Sequence, residues 1–326
     1  MKKHQFSSKL KEYLELLLEQ KHSLGYPYVV SSQILSEFDR FCLQHFPDAE
    51  TVTPELAMTW AVIKPTEKPW SFRNRMAPVR ELARYMNRSG KEACVIPNGI
   101  VPRESQRHVP HIFTPEELEK FFHAADTRPV MPGFMLRHLQ IPVIFRIMYA
   151  CGLRPNEARL IRTADLSPDC GALFIPESKG HKDRLVSLPA GLAGICCRYR
   201  EHLERTFPGS EYFFPCQKYG GRHYGAGWLI DVFRQCWEDA GIDAANGCPP
   251  RPYDFRHTFA THRLYQWMAD GKDLSVCIPY LSAYMGHADF SATAYYIHLI
   301  PEFFFAMSGM DRNRFGCLIP EVAHED

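Results

Sequence analysis

The sequence predicts a mainly α-helical chain in two domains, with a small antiparallel β-sheet or hairpin confined to the second. Three observations carry that reading. Apolar residues recur at three- and four-residue spacing along most of the chain. Strand-like alternation is restricted to residues 172–176 and 184–188, joined by a polar turn at 177–183. A stretch without periodicity, residues 95–111, carries Pro97, Gly99, Pro102 and Pro110 and separates a helical first third from the remainder. The expected division is a helical domain at 1–94, a linker at 95–111 and a second domain at 112–326, with a tail from about residue 300. At 326 residues, 45% hydrophobic and 23% charged, the chain can give each domain its own core, which excludes disordered and fibrous classes.

In the first domain Leu10, Leu14, Leu17 and Leu18 share one helix face, and Gly25 is a stop signal. Ser31 or Ser32 is placed to cap a second helix, whose apolar side holds Leu35, Phe38, Phe41 and Cys42. Thr53-Pro54-Glu55 opens a third with a capping hydroxyl and proline at the first helical position. Residues 71–87 form a fourth, with Pro78 as a candidate kink. The second domain starts at Thr114-Pro115-Glu116-Glu117, a capping box, and one long apolar helix is expected from there to Gly152. After the hairpin, helical spacing returns at 192–207, 226–240, 254–267, 276–285 and 291–299.

Composition removes several classes. The first twenty residues mix four lysines with three glutamates around no uninterrupted apolar core, so no signal peptide is expected. The longest apolar stretch, 134–153, contains Arg137, His138, Gln140 and Arg146 and is too polar to span a bilayer. Eleven cysteines without a C-x-x-C pair indicate neither a zinc site nor a disulfide framework, and a reducing cytoplasm fits them. The net charge of +1 gives no overall basic excess, but residues 68–91 hold seven basic side chains against Glu81 alone. Arg73, Arg80, Arg84 and Arg88, spaced by seven, four and four, lie along one helical stripe. The stripe suits phosphate contact and, equally, an ordinary solvated helix face. Arg73, Arg75, Arg80 and Arg84, with Lys182 on the hairpin, are the candidate phosphate-contacting residues.

Five side chains could carry chemistry on a phosphodiester. Breaking that bond means stabilising a five-coordinate phosphorus whose equatorial oxygens gain negative charge, and guanidinium groups meet that charge as planar, always-protonated forks. Arg154 follows the helix-ending Gly152, with Pro155 placed to start the next helix; Arg256 lies in a first helical turn between Phe255 and Phe259. Lys179, on the hairpin turn, can protonate a departing alkoxide, which arginine does badly. His287, after Gly286 at a helix end, can donate to a phosphate oxygen, or simply cap the helix. Tyr296 is the candidate nucleophile; adjacent helical residues point about 100° apart, so it and Tyr295 cannot both face one clamp. A phenol with pKa about 10 needs the field of the arginines and a base to attack.

The order of these residues resembles the tyrosine recombinase (phage integrase) family. That family carries G-L-R-x-x-E, a G-K-G-like hairpin, H-x-L-R-H-T-F-A-T, and L-G-H with a tyrosine nine residues on. Here the first reads Gly152-Leu153-Arg154-Pro155-Asn156-Glu157 and the second Ser178-Lys179-Gly180. The third reads Tyr253-Asp254-Phe255-Arg256-His257-Thr258-Phe259-Ala260-Thr261, and the fourth Met285-Gly286-His287 with Thr293 and Tyr296. The motifs follow one another over about 145 residues, in a region of resemblance that begins near Thr114 and extends more loosely to the helical first third. One position departs: the family usually has His where this chain has Tyr253, and a phenol is a feeble base near neutral pH.

The resemblance implies a two-domain DNA clamp, a helical core-binding domain plus a catalytic domain. It implies attack by Tyr296 to form a 3′-phosphotyrosyl bond, Arg154 and Arg256 on the non-bridging oxygens, His287 assisting and Lys179 protonating the leaving oxygen. Glu157 would orient Arg154, and Tyr253 would support the site. No cofactor or metal is implied. The expected partners are double-stranded DNA at specific sites and a homo-tetramer on paired sites, joined through a tail that includes Phe303-Phe304-Phe305-Ala306-Met307. Those aromatics serve equally well as cover for the chain's own core. Integration or excision of a mobile element is the preferred role. Alternatives are Xer-like chromosome dimer resolution, a type IB topoisomerase-like nicking and resealing activity, and a decayed DNA-binding accessory protein. The expected location is the cytoplasm, on the nucleoid.

Overall fold

The computed structural model describes residues 5–100, 109–178, 182–243, 249–287, 293 and 295–296. The chain divides into two compact units, 1–108 and 109–326. In the first unit four helices, α1 (Lys11–Ser23), α2 (Val29–His45), α3 (Pro54–Trp60) and α4 (Pro69–Arg88), enclose one core. The expected apolar faces supply it: Leu10, Leu14, Leu35, Phe38, Leu56 and Met76 are completely buried. Thr53 caps α3 as expected, accepting from the Leu56 amide at 3.2 Å. Ser31 and Ser32 do not cap α2. That helix begins earlier, after Tyr28 at φ 47°, and Ser32 lies inside it, its hydroxyl donating to the Val29 carbonyl. Helix α4 runs through Pro78 as a single element. Ile96, inside the stretch expected to be a linker, is 1% exposed and packs into this core.

The second unit opens with the expected capping box: Thr114 accepts from the Glu117 amide at 3.2 Å while Glu117 accepts from the Thr114 amide at 2.9 Å. The one long helix expected next is two, α5 (Pro115–Asp126) and α6 (Arg137–Cys151). The intervening residues carry Pro129, Pro132 and Gly133, which helical periodicity on both sides had masked. A short α7 (Pro155–Arg159) leads into a three-stranded antiparallel sheet of β1 (Leu166–Ser167), β2 (Ala172–Ser178) and β3 (Lys182–Ser187), in that spatial order. The hairpin pairs Leu173 with Val186 and Ile175 with Arg184. Leu173, Ile175 and Val186 face the core while Phe174 points outward, the alternation that identified the strands. The two-residue β1 has too little pattern to be read from sequence.

Helices α8 (Ala190–Thr206), α9 (Ala226–Asp239), α10 (Asp254–Ala269) and α11 (Leu274–Met285) complete the described part of the unit. Phe113, Phe121, Phe145, Phe233 and Phe255 meet at its centre, with Phe255 stacked on Phe113 at 4.9 Å between centroids. Burying α10 through Phe255 fixes the first turn of that helix, and therefore Arg256, against the C-terminal end of α6. The helix expected at 291–299, the hairpin tip with Lys179, and the tail beyond 296 lie outside the described residues.

Candidate active site

The site assembles where three chain turns meet. The first is the end of α6. Gly152 adopts the left-handed conformation at φ 60°, and a Cβ there would lie 2.5 Å from Cδ1 of Phe259 on α10. Glycine is required on both counts, because the turn needs positive φ and the two helices touch through it. The turn delivers Arg154 as the cap residue of α7. Its Nη1 donates to Glu157 Oε1 at 2.7 Å, its amide to Oε2 at 2.8 Å, and its Nη2 to the Gly286 carbonyl at 3.0 Å. Glu157 is shared. Arg184, on β3, donates to the same carboxylate through Nη1 at 3.0 Å and Nη2 at 2.7 Å. Burial pushes the Glu157 carboxyl up, but Arg184 and then Arg154 outweigh it and bring it down to about 2.

Arg256 is the second element, and its side chain is wholly buried. Nη1 donates to the Gly152 carbonyl at 2.6 Å, and Nη2 donates both to the Met285 carbonyl and to His287 Nε2, the latter at 3.1 Å. One guanidinium thus ties the ends of α6 and α11 to the start of α10. Its Nε is buried with no acceptor among the described residues. Burial, then the charge of Arg154, lowers its affinity for its proton. Two guanidiniums this close repel each other, an arrangement that an added anion relieves.

The third turn is Gly286, left-handed at φ 63° after α11, which presents His287. Its Nδ1 is 2.7 Å from the Thr293 hydroxyl. An arginine can only donate, so the contact with Arg256 makes Nε2 the acceptor and places the ring proton on Nδ1, toward Thr293. Tyr296 lies nearly parallel to the His287 ring, centroids 6.0 Å apart, and 5.5 Å from the ring of His257. It is 2% exposed and packs against Phe259, Leu264 and Met285. Burial pushes its phenol up to about 12, with Arg256 and Arg154 pulling in the opposite direction. Tyr253, which caps α10, lies tilted beside His257 with ring centroids 5.0 Å apart and raises the Tyr296 phenol further.

The Phage integrase family model matches residues 111–302, more than half of the chain. The chain belongs to the phage integrase family. As a tyrosine recombinase it is an enzyme of DNA strand cleavage and religation. A putative integrase/recombinase of Sinorhizobium fredii is 28% identical over 305 residues, spanning 91% of this chain and 94% of the relative. A tyrosine recombinase XerD of Listeria innocua is 25% identical over 241 residues, 72% of this chain and 74% of the relative. Among solved structures, a lambda integrase tetramer bound to a Holliday junction matches with a TM-score of 0.60 at 16% identity, over 88% of this chain and 76% of that one. No helix among the described residues is long and apolar enough to cross a membrane.

Within this recombinase the structure brings Arg154, Glu157, Tyr253, Arg256, His287 and Tyr296 together, while Lys179 and the side chain of Lys182 lie outside the described residues. The basic stripe of α4 needs correction. Arg75 is 6% exposed and turned inward: it pairs with Glu67 through two hydrogen bonds of 2.7 Å and donates to the carbonyls of Trp60 and Val62. Arg80 is partly committed as well, to the carbonyls of Ile96 and Pro97. Arg84 and Arg88 are exposed and Arg73 half-buried. Helical spacing separates Arg75 from the stripe but says nothing about an acceptor waiting beneath it. Arg75→Ala should therefore cost stability rather than DNA affinity, about 3 kcal/mol for stranding a buried carboxylate, read by thermal unfolding. Arg184, the neighbouring cation on β3, is not available for phosphate contact: its side chain is 7% exposed and spent on Glu157. No local signal in the sequence pairs Arg184 with a residue 27 positions earlier.

Proposed function

We propose that Tyr296 attacks the scissile phosphorus of duplex DNA, forming a 3′-phosphotyrosyl bond as the bond to the 5′-oxygen breaks. Arg154 and Arg256 hold the non-bridging oxygens, with the Nε–H of Arg256 among the donors offered. His287, with Nδ1 engaged by Thr293 and Nε2 accepting from Arg256, assists by orienting that guanidinium, and Lys179 gives its proton to the leaving 5′-oxygen. A 5′-hydroxyl from the partner duplex then attacks the ester and releases the tyrosine. The energy of the broken bond is kept in the protein–DNA ester, so rejoining needs no nucleotide cofactor. The observation that carries this reading is that Arg256, 0% exposed, touches both the turn bearing Arg154 and the imidazole of His287, with Tyr296 alongside.

Tyr296 is nearly inaccessible as it stands, so DNA engagement must bring its hydroxyl and a phosphate together. At neutral pH a phenol held near 12 is protonated, and its proton must leave during attack. Tyr253 is a poor acceptor for it. Replacing Tyr253 by His should keep cleavage at or above the wild-type rate, by up to about tenfold; a collapse in single-turnover cleavage would show that the phenol of Tyr253 does work that imidazole cannot.

The biological setting we favour is integration and excision of a mobile element, supported by the integrase-named relative, with chromosome dimer resolution kept by the XerD relative. Both units would contact the duplex, Arg73 and Arg84 through phosphates, and four copies would act on two paired sites within the cytoplasm, on the nucleoid. A tail from about residue 300 would join neighbouring copies. The test is to tile the DNA flanking the gene as nicked duplexes, incubate each with the protein, and look for a covalent adduct at Tyr296 by denaturing gel and peptide mapping. An adduct on one tile supports the reading; none on any tile sinks it.

A further inference from the structure

The chemistry derived so far leaves Arg184 unused, yet it is among the most enclosed charges of the second unit. Side-chain exposure is 7% for Arg184, 10% for Glu157 and 16% for Arg154. Four hydrogen bonds within this triad measure 2.7 to 3.0 Å: Oε1 accepts from both guanidiniums, and Oε2 accepts from the Arg184 guanidinium and the Arg154 main-chain amide. A carboxylate held by one guanidinium cancels its charge toward a third party, and a carboxylate held by two cannot cancel both. With Arg184 present, the triad keeps a net positive charge, and Arg154 continues from it to the Gly286 carbonyl beside His287. Arg184 is also on β3, so the same bonds fasten the hairpin to the turn that carries Arg154.

We infer that Arg184 is a positioning residue of the recombinase reaction: by sharing Glu157 it keeps Arg154 electrostatically positive and fixed in direction toward the scissile phosphate. The inference rests on the proposed role of Arg154 at that phosphate. It differs from a purely structural role in one respect, which is that the harm done by losing Arg184 comes from the carboxylate left behind. Removing that negative charge as well should therefore restore activity.

The experiment compares wild type, Arg184→Gln, Arg184→Lys, Glu157→Gln and the double variant Arg184→Gln/Glu157→Gln on the nicked duplex that the wild type cleaves. Single-turnover adduct formation, duplex affinity and thermal unfolding are measured for each. Arg184→Gln should slow adduct formation by about 10- to 100-fold with affinity changed by less than about threefold. Arg184→Lys, which keeps the charge and loses the fork, should fall between it and the wild type. The double variant should be faster than Arg184→Gln by about tenfold, the size of a contact-range coupling. A double variant no faster than Arg184→Gln, or a single variant as fast as wild type, overturns the inference while leaving the function reading intact. Should Arg184→Gln fail to fold, the uncharged double variant is compared with Glu157→Gln: near-equal rates support the inference, and a tenfold deficit overturns it. A wild type that forms no adduct on any tile overturns the function reading and this inference together.

Discussion

Tyr296→Phe should abolish the covalent protein–DNA adduct, by about 10⁵-fold or more, while duplex affinity stays within about threefold. The phenyl ring preserves the packing against Phe259, Leu264 and Met285 and the parallel contact with His287, so the loss is confined to the oxygen that would attack. The companion variant Tyr295→Phe should stay near the wild-type rate. Both tyrosines lie beside His257, at 6.3 Å for Tyr295 and 5.5 Å for Tyr296, so contact with that ring does not choose between them. What distinguishes Tyr296 is its electrostatic contact with Arg256 and Arg154. An adduct that persists in the Tyr296→Phe variant and disappears in Tyr295→Phe would move the nucleophile by one residue and remove the central assignment.

Arg256→Lys should reduce single-turnover cleavage by about 10²- to 10³-fold and lower the melting temperature at the same time. Lysine keeps a positive charge but has one point of donation where arginine has a fork. It cannot reach the Gly152 carbonyl, the Met285 carbonyl and His287 together. Each buried carbonyl left without a donor costs about 1–3 kcal/mol. The two readouts separate the two jobs of this side chain. A variant that loses stability yet cleaves at the wild-type rate would reduce Arg256 to a structural clip. A variant that loses cleavage with little change in melting would make it purely a phosphate ligand.

Helix existence and the hairpin were legible because they depend on short-range repetition. The period-two alternation of Leu173, Ile175 and Val186 and the capping chemistry of Thr53 and Thr114 are local, and the structure follows them closely. The misreadings have the opposite character. The break between α5 and α6 falls at Pro129, Pro132 and Gly133, between two helical apolar patterns that the reading from sequence joined into one. Helix α2 starts after a left-handed Tyr28 whose hydroxyl donates to Glu81 on α4 at 2.6 Å, a tertiary contact that overrides the serine signal. Nothing nearby in sequence declares the partners of Arg75 and Arg184, and both are buried against carboxylates, Glu67 and Glu157.

By itself, then, the chain's order of residues determined the reaction class and the side chains eligible for it, since a phosphoryl-transfer site demands particular functional groups and these recur at recognisable intervals. Tertiary structure decided how each group is spent. It made Arg256 the brace between three turns, directed the proton of His287 to Thr293, enclosed Tyr296, and set Arg184 on Glu157. The reason is physical: a hydrogen bond or a buried charge is defined by what lies across space from it, and packing brings together partners that the sequence holds far apart, 132 positions for Arg154 and Gly286.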